Sequence, residues 1–314
     1  MAAFFSLKIM KKIISVLSIL FVITLSCFSE IKFEIEPNFN TTLGKYGEYV
    51  YSYSGKSVVS YLEWQSMPLV KPGIESRLSF NNLEFSAGIS YALPLKCGKM
   101  YDSDWDSYGV KTTYSISNNY SMQNYDCYFS IGVKIDCKKF LLIPEFSYFY
   151  YYDFFQSNDG EGWYGRDIYS KTGKTVSWDS PDARHYRKLS RIELKRESKY
   201  FFLGITGLFN LGSKCEFSAG SFIAPYASVY NSDYHMDDNG KGRDFYLNSK
   251  QEMNFSRFLE KVSFTYKINN HFAIPFSLNC IFGEIEKGML EGYEQYAGTD
   301  VVLFNLKLGI NYTL

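Results

Sequence analysis

The feature that most constrains this chain is an alternation of apolar and polar residues with a period of two. At the C-terminus Val302, Phe304, Leu306, Leu308, Ile310, Tyr312 and Leu314 are apolar. Between them lie Leu303, Asn305, Lys307, Gly309, Asn311 and Thr313. Leu83, Phe85, Ala87, Ile89, Tyr91, Leu93 and Leu95 alternate with Glu84, Ser86, Gly88 and Ser90. Tyr125, Cys127, Phe129, Ile131, Val133 and Ile135 alternate with polar residues and glycine, and Ile31 to Phe39 and Phe272 to Phe282 repeat the pattern. Successive side chains of a strand point to opposite faces, so this period specifies strands with one greasy and one polar face. Beyond the N-terminal region no stretch approaches the roughly 18 apolar residues of a helical span.

Alternation alone fits two architectures. A soluble sandwich buries the apolar face and wets the other. A membrane barrel turns the apolar face to lipid and the polar face to its lumen. Composition and the N-terminus favour the barrel. The chain holds 28 Tyr, 27 Phe and 4 Trp, which make 19% aromatic, yet its mean hydropathy is only −0.20. Lys8, Lys11 and Lys12 precede an apolar run from Ile13 to Phe28, the pattern of a secretory signal. Met10 reads as the start of a basic leader, and cleavage after Ser29 satisfies the small-residue rule. Residues 1–29 are therefore expected to be a signal peptide and 30–314 an outer-membrane barrel. A lipoprotein acylated at Cys27 is disfavoured by Thr24 three residues before it.

Turn chemistry sets the strand count. Short polar turns fall at Asn81-Asn82, Cys137-Lys138, Gly212-Ser213 and Asn269-Asn270. Asn and Gly suit the positive φ that tight hairpins require. Longer polar stretches lie near 52–57, 97–115, 157–186, 232–246 and 288–298. Four short turns and five long loops connect ten strands. The expected fold is thus all-β: a transmembrane antiparallel β-barrel of about ten strands with long extracellular loops. Closure removes the strand edges that lipid does not tolerate. Several patterns, such as Arg187 to Phe209, exceed the about 9–11 residues of a tilted span. The barrel should project above the membrane. Pro94 and Pro225 are expected near rims, where a ladder hydrogen bond can be spared.

Charge and cysteines exclude other classes. Lys+Arg and Asp+Glu both count 33, so the chain lacks the excess cation of a nucleic-acid binder. Five cysteines follow the signal, namely Cys97, Cys127, Cys137, Cys215 and Cys280, an odd number with no CxxC spacing. They read as small strand residues, not a disulfide framework or metal site.

Two segments carry candidate chemistry: Tyr101-Asp102-Ser103-Asp104-Trp105 and Asn231-Ser232-Asp233-Tyr234-His235. Asp102 and Asp104, two apart on extended backbone, point to one side, as do Asp233 and His235. An Asp beside a His fixes the imidazole tautomer and raises its basicity. Two crowded carboxylates can share a proton and hold a water. Alone, such motifs are more often solvated loop residues, or for Asp-x-Asp an occasional calcium ligand.

The chain resembles the omptin family, outer-membrane endopeptidases built on a ten-stranded barrel. Asp102-Ser103-Asp104-Trp105 and Asp233-Tyr234-His235 match the family's motifs in the second and fourth outer loops. Glu48-Tyr49-Val50-Tyr51 with Val59-Ser60-Tyr61-Leu62-Glu63-Trp64 resembles its first hairpin, and Gly204-Ile205-Thr206-Gly207 its sixth strand. The similarity runs from about residue 40 to the C-terminus, thin in the third loop and in strands eight and nine.

The resemblance implies an aspartyl-type endopeptidase that cleaves at or between basic residues by an Asp-His-activated water. It makes His235 the general base and Asp233 its partner. Asp102 and Asp104 would position the water and stabilise the tetrahedral intermediate, which requires one of them protonated. Glu48 matches an acid of the pocket for the residue before the cut. Asn231 stands where a second pocket acid is expected, so preference for a basic residue should weaken, or shift between Lys and Arg. No acid or His matches the family pattern after Trp105; Asp106 is a substitute candidate. The implied partners are peptides or proteins with basic residues and outer-membrane lipid, with no nucleic acid. No metal or cofactor is implied beyond lipopolysaccharide. Arg187, Lys188, Arg191, Lys195, Arg196 and Lys199 could supply charge for that lipid on the outside of the sixth strand. The expected Arg of the fifth strand is replaced by Tyr and Phe in Phe146 to Phe155, and Tyr312-Thr313-Leu314 lacks a final aromatic. The active site is expected to face outside the cell.

The main alternative is a catalytically silent outer-membrane barrel acting as an adhesin or surface binding protein. It is disfavoured because no member of the quartet is lost. A small porin is disfavoured because about ten strands leave a lumen that side chains fill. A third alternative is an exported soluble sandwich or lipoprotein, which membrane fractionation and heat-modifiable gel mobility together would distinguish from a barrel.

Overall fold

The computed structural model describes residues 31–169, 173–236, 242–252, 257–290 and 295–314. The expected signal peptide, with Cys27, lies outside them.

Ten antiparallel staves form the wall. The first is Ile31–Tyr51 and the second Val58–Phe80. The third comes in two pieces, Leu83–Tyr91 and Lys96–Trp105. The fourth is Lys111–Val133, the fifth Leu141–Tyr164. The sixth is Arg184–Leu189 and Ile192–Leu211, the seventh Cys215–Met236. The eighth is Gly242–Glu252 and Arg257–Lys267, the ninth Phe272–Leu290, the tenth Gln295–Gly309 and Asn311–Thr313. Each pairs with its sequence neighbours, and the first also pairs with the tenth, from Asn38↔Gly309 to Val50↔Ala297. The sheet closes on itself, which removes the unpaired edges of an open sheet.

All four short turns lie where the sequence places them. Asn81 (φ 50°), Lys138 (φ 71°) and Gly212 (φ 78°) take the left-handed conformation such hairpins need. The long connections are shorter than the sequence suggests. The stretch 97–115 is mostly strand, with a turn only at 106–110, and strand also runs through 232–236. Polar residues there continue the period of two, because a strand above the membrane tolerates polar side chains on its outer face. Pro94 and Pro225 are mid-stave, not at rims. Pro94 lies in the break of the third stave, and Pro225 at a register shift between Ile223 and Tyr226. A break or bulge spares the missing N–H as well as a rim does.

The outer surface near the short turns is greasy. Phe39, Leu308, Phe276 and Phe264 lie side by side in register on four successive staves and are exposed. Ile89, Phe129, Leu203 and Ile205 continue this belt. Such a band on a closed barrel is the surface lipid covers. The lumen at this height is charged: Lys307 bonds Glu75 at 2.5 Å and Glu36 at 3.0 Å, and Lys71 bonds Asp126 at 2.6 Å. A cavity of about 660 Å³ opens there toward the short-turn end.

Above the cavity the lumen is packed shut. Trp64, Met100, Phe155, Leu194, Phe202, Leu259, Ile281 and Val301, from seven staves, join one cluster of buried apolar side chains. On the sixth stave the odd positions face out, as Lys195, Glu197 and Lys199 above Phe201, Leu203 and Ile205. Charge replaces grease where the stave leaves the belt, so the upper half projects beyond the membrane. The five described cysteines past the N-terminal region are free thiols.

Candidate active site

The projecting mouth brings together all four residues of the two motifs. Asp102 and Asp104 sit on the third stave, with Asp102 beside Leu62 of the second stave and Ser115 of the fourth. They lie on a strand, not in a loop, and a rigid ladder on both sides fixes their direction. Asp233 and His235 sit at the top of the seventh stave, beside Leu194 and Ile192. Stave three and stave seven are on opposite walls, so the pairs face each other across the lumen.

His235 Nε2 is 2.7 Å from Asp233 Oδ2. Burial alone would depress the imidazole. The Asp233 carboxylate, by charge and hydrogen bond, overrides burial with help from Asp102 and Glu48, and lifts His235 to about 9. Asp102 goes the other way for a carboxylate. Burial, then the like charge of Asp104, push it up to about 8, against the opposing pull of His235. At neutral pH the site therefore holds an imidazolium on one wall and a protonated carboxyl on the other. Asp233 Oδ1 is buried with no protein donor among the described residues.

The floor lies one step deeper. Asn231 is two residues before Asp233 on the same face, and is fully buried. It donates from Nδ2 to Glu48 Oε1. The other oxygen, Glu48 Oε2, accepts from Trp64 Nε1 at 3.1 Å. Burial, then the charge of Asp233, raise Glu48 to about 7, although Arg196, Trp64 and Asn231 pull it back.

Arg196 is the residue sequence reading misplaced. It is not on the outside of the barrel: it is 1% exposed and points into the lumen. Its Nε donates to Asn231 Oδ1 at 2.9 Å and its Nη2 to Gly47 O at 3.1 Å, spanning from the sixth stave to the first. Its guanidinium lies 4.9 Å from the Tyr46 ring. The signal was present. Arg196 shares parity with Leu194, Tyr200 and Phe202, all buried. Lys195 and Lys199 do face out, near Phe154 and Tyr150.

Lys111 was also missed. Its ammonium lies 4.3 Å from the Tyr114 ring, 5.6 Å from Trp105 and 5.5 Å from Trp178. Burial lowers its pKa, with Asp102 opposing. Trp105 thus belongs to an aromatic clamp beside the carboxylate pair. Asp106 is occupied by its own turn, accepting from the Tyr108 and Val110 amides at 2.9 Å each.

No protein-family model and no curated protein matches the sequence. Among solved structures the chain is similar to the outer membrane protease OmpT from Escherichia coli. The TM-score is 0.71 at 18% identity, covering 90% of this chain and 97% of that one. This barrel shares the OmpT fold. A major outer membrane protein from Thermus thermophilus aligns at a TM-score of 0.37 and 11% identity, over 91% and 100% of the two chains.

Proposed function

We propose that this protein is an outer-membrane endopeptidase of omptin type, with its active site facing outside the cell. The observation that carries the reading is the 2.7 Å Asp233–His235 bond set across the lumen from the Asp102–Asp104 pair. The OmpT-like fold supports it, as do the belt and the projecting mouth.

In this mechanism a peptide lies across the mouth and a water sits between the two pairs. His235, once neutral, takes the water's proton at the nitrogen that Asp233 does not hold. The hydroxide adds to the peptide carbonyl, whose π electrons move to oxygen. Asp102, held protonated, donates a hydrogen bond to that oxyanion, which an ionised carboxylate could not do. Asp104 keeps Asp102 protonated and helps hold the water. The intermediate collapses, and His235 returns the proton to the leaving amine. Glu48 and Asn231 form the seat for the side chain before the cut. Lipopolysaccharide is proposed as a partner of the outward-facing Lys195 and Lys199.

The test is cleavage of a diverse peptide pool by refolded barrel, comparing wild type with His235→Ala and Asp102→Ala. Cleavage by wild type that both substitutions abolish supports the reading. A folded wild-type barrel that cuts nothing, with or without lipopolysaccharide, favours a silent surface binding protein.

A further inference from the structure

The floor beneath the catalytic pairs already contains a guanidinium. A substrate side chain that descends from the scissile bond along the seventh stave passes Asp233 and meets Asn231, the next inward residue. There it meets Glu48, Asn231 and Arg196 as one hydrogen-bonded unit. An acid floor would ordinarily recruit Lys or Arg. Here the acceptor of Asn231 is taken by Arg196, and its donor by Glu48. Both oxygens of Glu48 already receive a donor, from Asn231 and Trp64. The formal charges of Glu48 and Arg196 offset each other. The unit is also closed: Glu48, Asn231, Arg196 and Trp64 are all buried, with Tyr46 under the guanidinium.

We propose that Arg196 is a built-in occupant of the seat, so that this site selects a small uncharged residue before the cut and rejects Arg and Lys there. The inference rests on the endopeptidase reading and names its substrate class. A second cation would be desolvated beside Arg196, where both oxygens of Glu48 already receive a donor. Such a mismatch is the kind of repulsive element that sets specificity. A small side chain such as Ala or Ser needs neither depth nor charge. Arg196 is therefore a specificity-determining residue, and Asn231 fits its role: an amide can accept from Arg196 and donate to Glu48 at once, which a carboxylate cannot.

The experiment uses the full refolded barrel and matched peptides with Arg, Lys, Gln, Ser or Ala before one central bond, with cut sites read by mass spectrometry. Wild type is expected to cut after Ala or Ser at least about tenfold faster than after Arg. Arg196→Met should move the preference toward Arg, because the floor loses its internal cation and Asn231 Oδ1 its donor. Asn231→Asp alone should move it little, since Arg196 pairs with the new carboxylate. Arg196→Met with Asn231→Asp should prefer Arg most strongly. Heat-modifiable gel mobility checks that each variant is folded, and the wild-type ranking needs no variant.

Wild type cutting after Arg about tenfold faster than after Ala would overturn the proposal and leave the endopeptidase reading intact. So would Asn231→Asp alone conferring Arg preference. If no peptide is cut, the endopeptidase reading fails. Binding to the His235→Ala barrel, followed by fluorescence anisotropy of labelled peptides, then still probes the seat. Tighter binding of the Arg peptide than of the Ala peptide would count against an occupied seat, and the reverse order would support it.

Discussion

The imidazole of His235 is held at 2.7 Å by Asp233, two residues earlier on the same face of one strand. This bond does two jobs. It orients the ring, and it stores a proton that must leave before the ring can act as a base. Asp233→Asn should keep much of the geometry but lose the charge. We expect cleavage to fall on the order of 10²-fold, and His235→Ala on the order of 10³-fold or more, both measured as kcat/KM.

Activity should peak on the alkaline side. His235 must be neutral, and with its pKa near 9 the competent form grows as pH rises. Asp102 must be protonated, and with its pKa near 8 that form is lost as pH rises. The product of the two fractions is a bell with its maximum between these values. In Asp233→Asn the largest cause raising His235 is gone, so the rising limb should move toward acid. A rate profile from pH 5 to 10 checks both; an optimum near pH 6 in wild type would contradict this assignment of roles.

Asp102→Ala should lower turnover, because at neutral pH it removes the protonated carboxyl that donates a hydrogen bond to the oxyanion. The expected loss is on the order of 10²- to 10³-fold in kcat, with KM little changed. A change confined to KM would assign Asp102 to substrate binding instead.

Glu48 should leave a mark on stability. Its folded-state pKa is raised to about 7 from an ordinary 4.5, by burial and by Asp233. A raised carboxylate contributes stability that is fully present below about pH 4.5 and is lost as pH rises through about 7. Wild type should therefore lose on the order of 2 kcal/mol between pH 5 and 8 through this group, and Glu48→Gln should not. Urea unfolding of the refolded barrel at the two pH values reads the difference.

Lipid dependence is the next expectation. Lys195 and Lys199 face outward above the belt, beside aromatic rings. Replacing both by Ala should weaken lipopolysaccharide binding, and with it the stimulation at limiting lipid, by about 30-fold, at about 1 kcal/mol per cation near an anionic surface. Stimulation unchanged in the double variant would place the lipid elsewhere on the wall.

Much of this molecule is legible in the chain because strand chemistry is local. The period of two assigns faces without reference to neighbours, as in Phe304 and Leu308 outside and Lys307 inside. Three of the four short turns were readable because they carry Asn or Gly, residues suited to the positive φ of tight hairpins, whereas Cys137-Lys138 carries neither. The Asp102–Asp104 and Asp233–His235 pairs were readable because residues two apart on a strand must share a side.

Tertiary structure decided what lies opposite what. Asp102 and His235 are 133 positions apart in the chain and meet only because closure sets the third stave across from the seventh. Where the strands end was also decided there: residues 97–105 look like loop by polarity, but pairing with the second and fourth staves makes most of them wall. Arg196 shows the limit most clearly. Its neighbours Lys195 and Lys199 suggested an outer basic patch, whereas parity turned it inward. Its partners, Asn231, Gly47 and Tyr46, come from the adjacent stave and from the far wall. No local pattern encodes a contact across a lumen, because its strength depends on the barrel's width and register, which exist only after the sheet has closed.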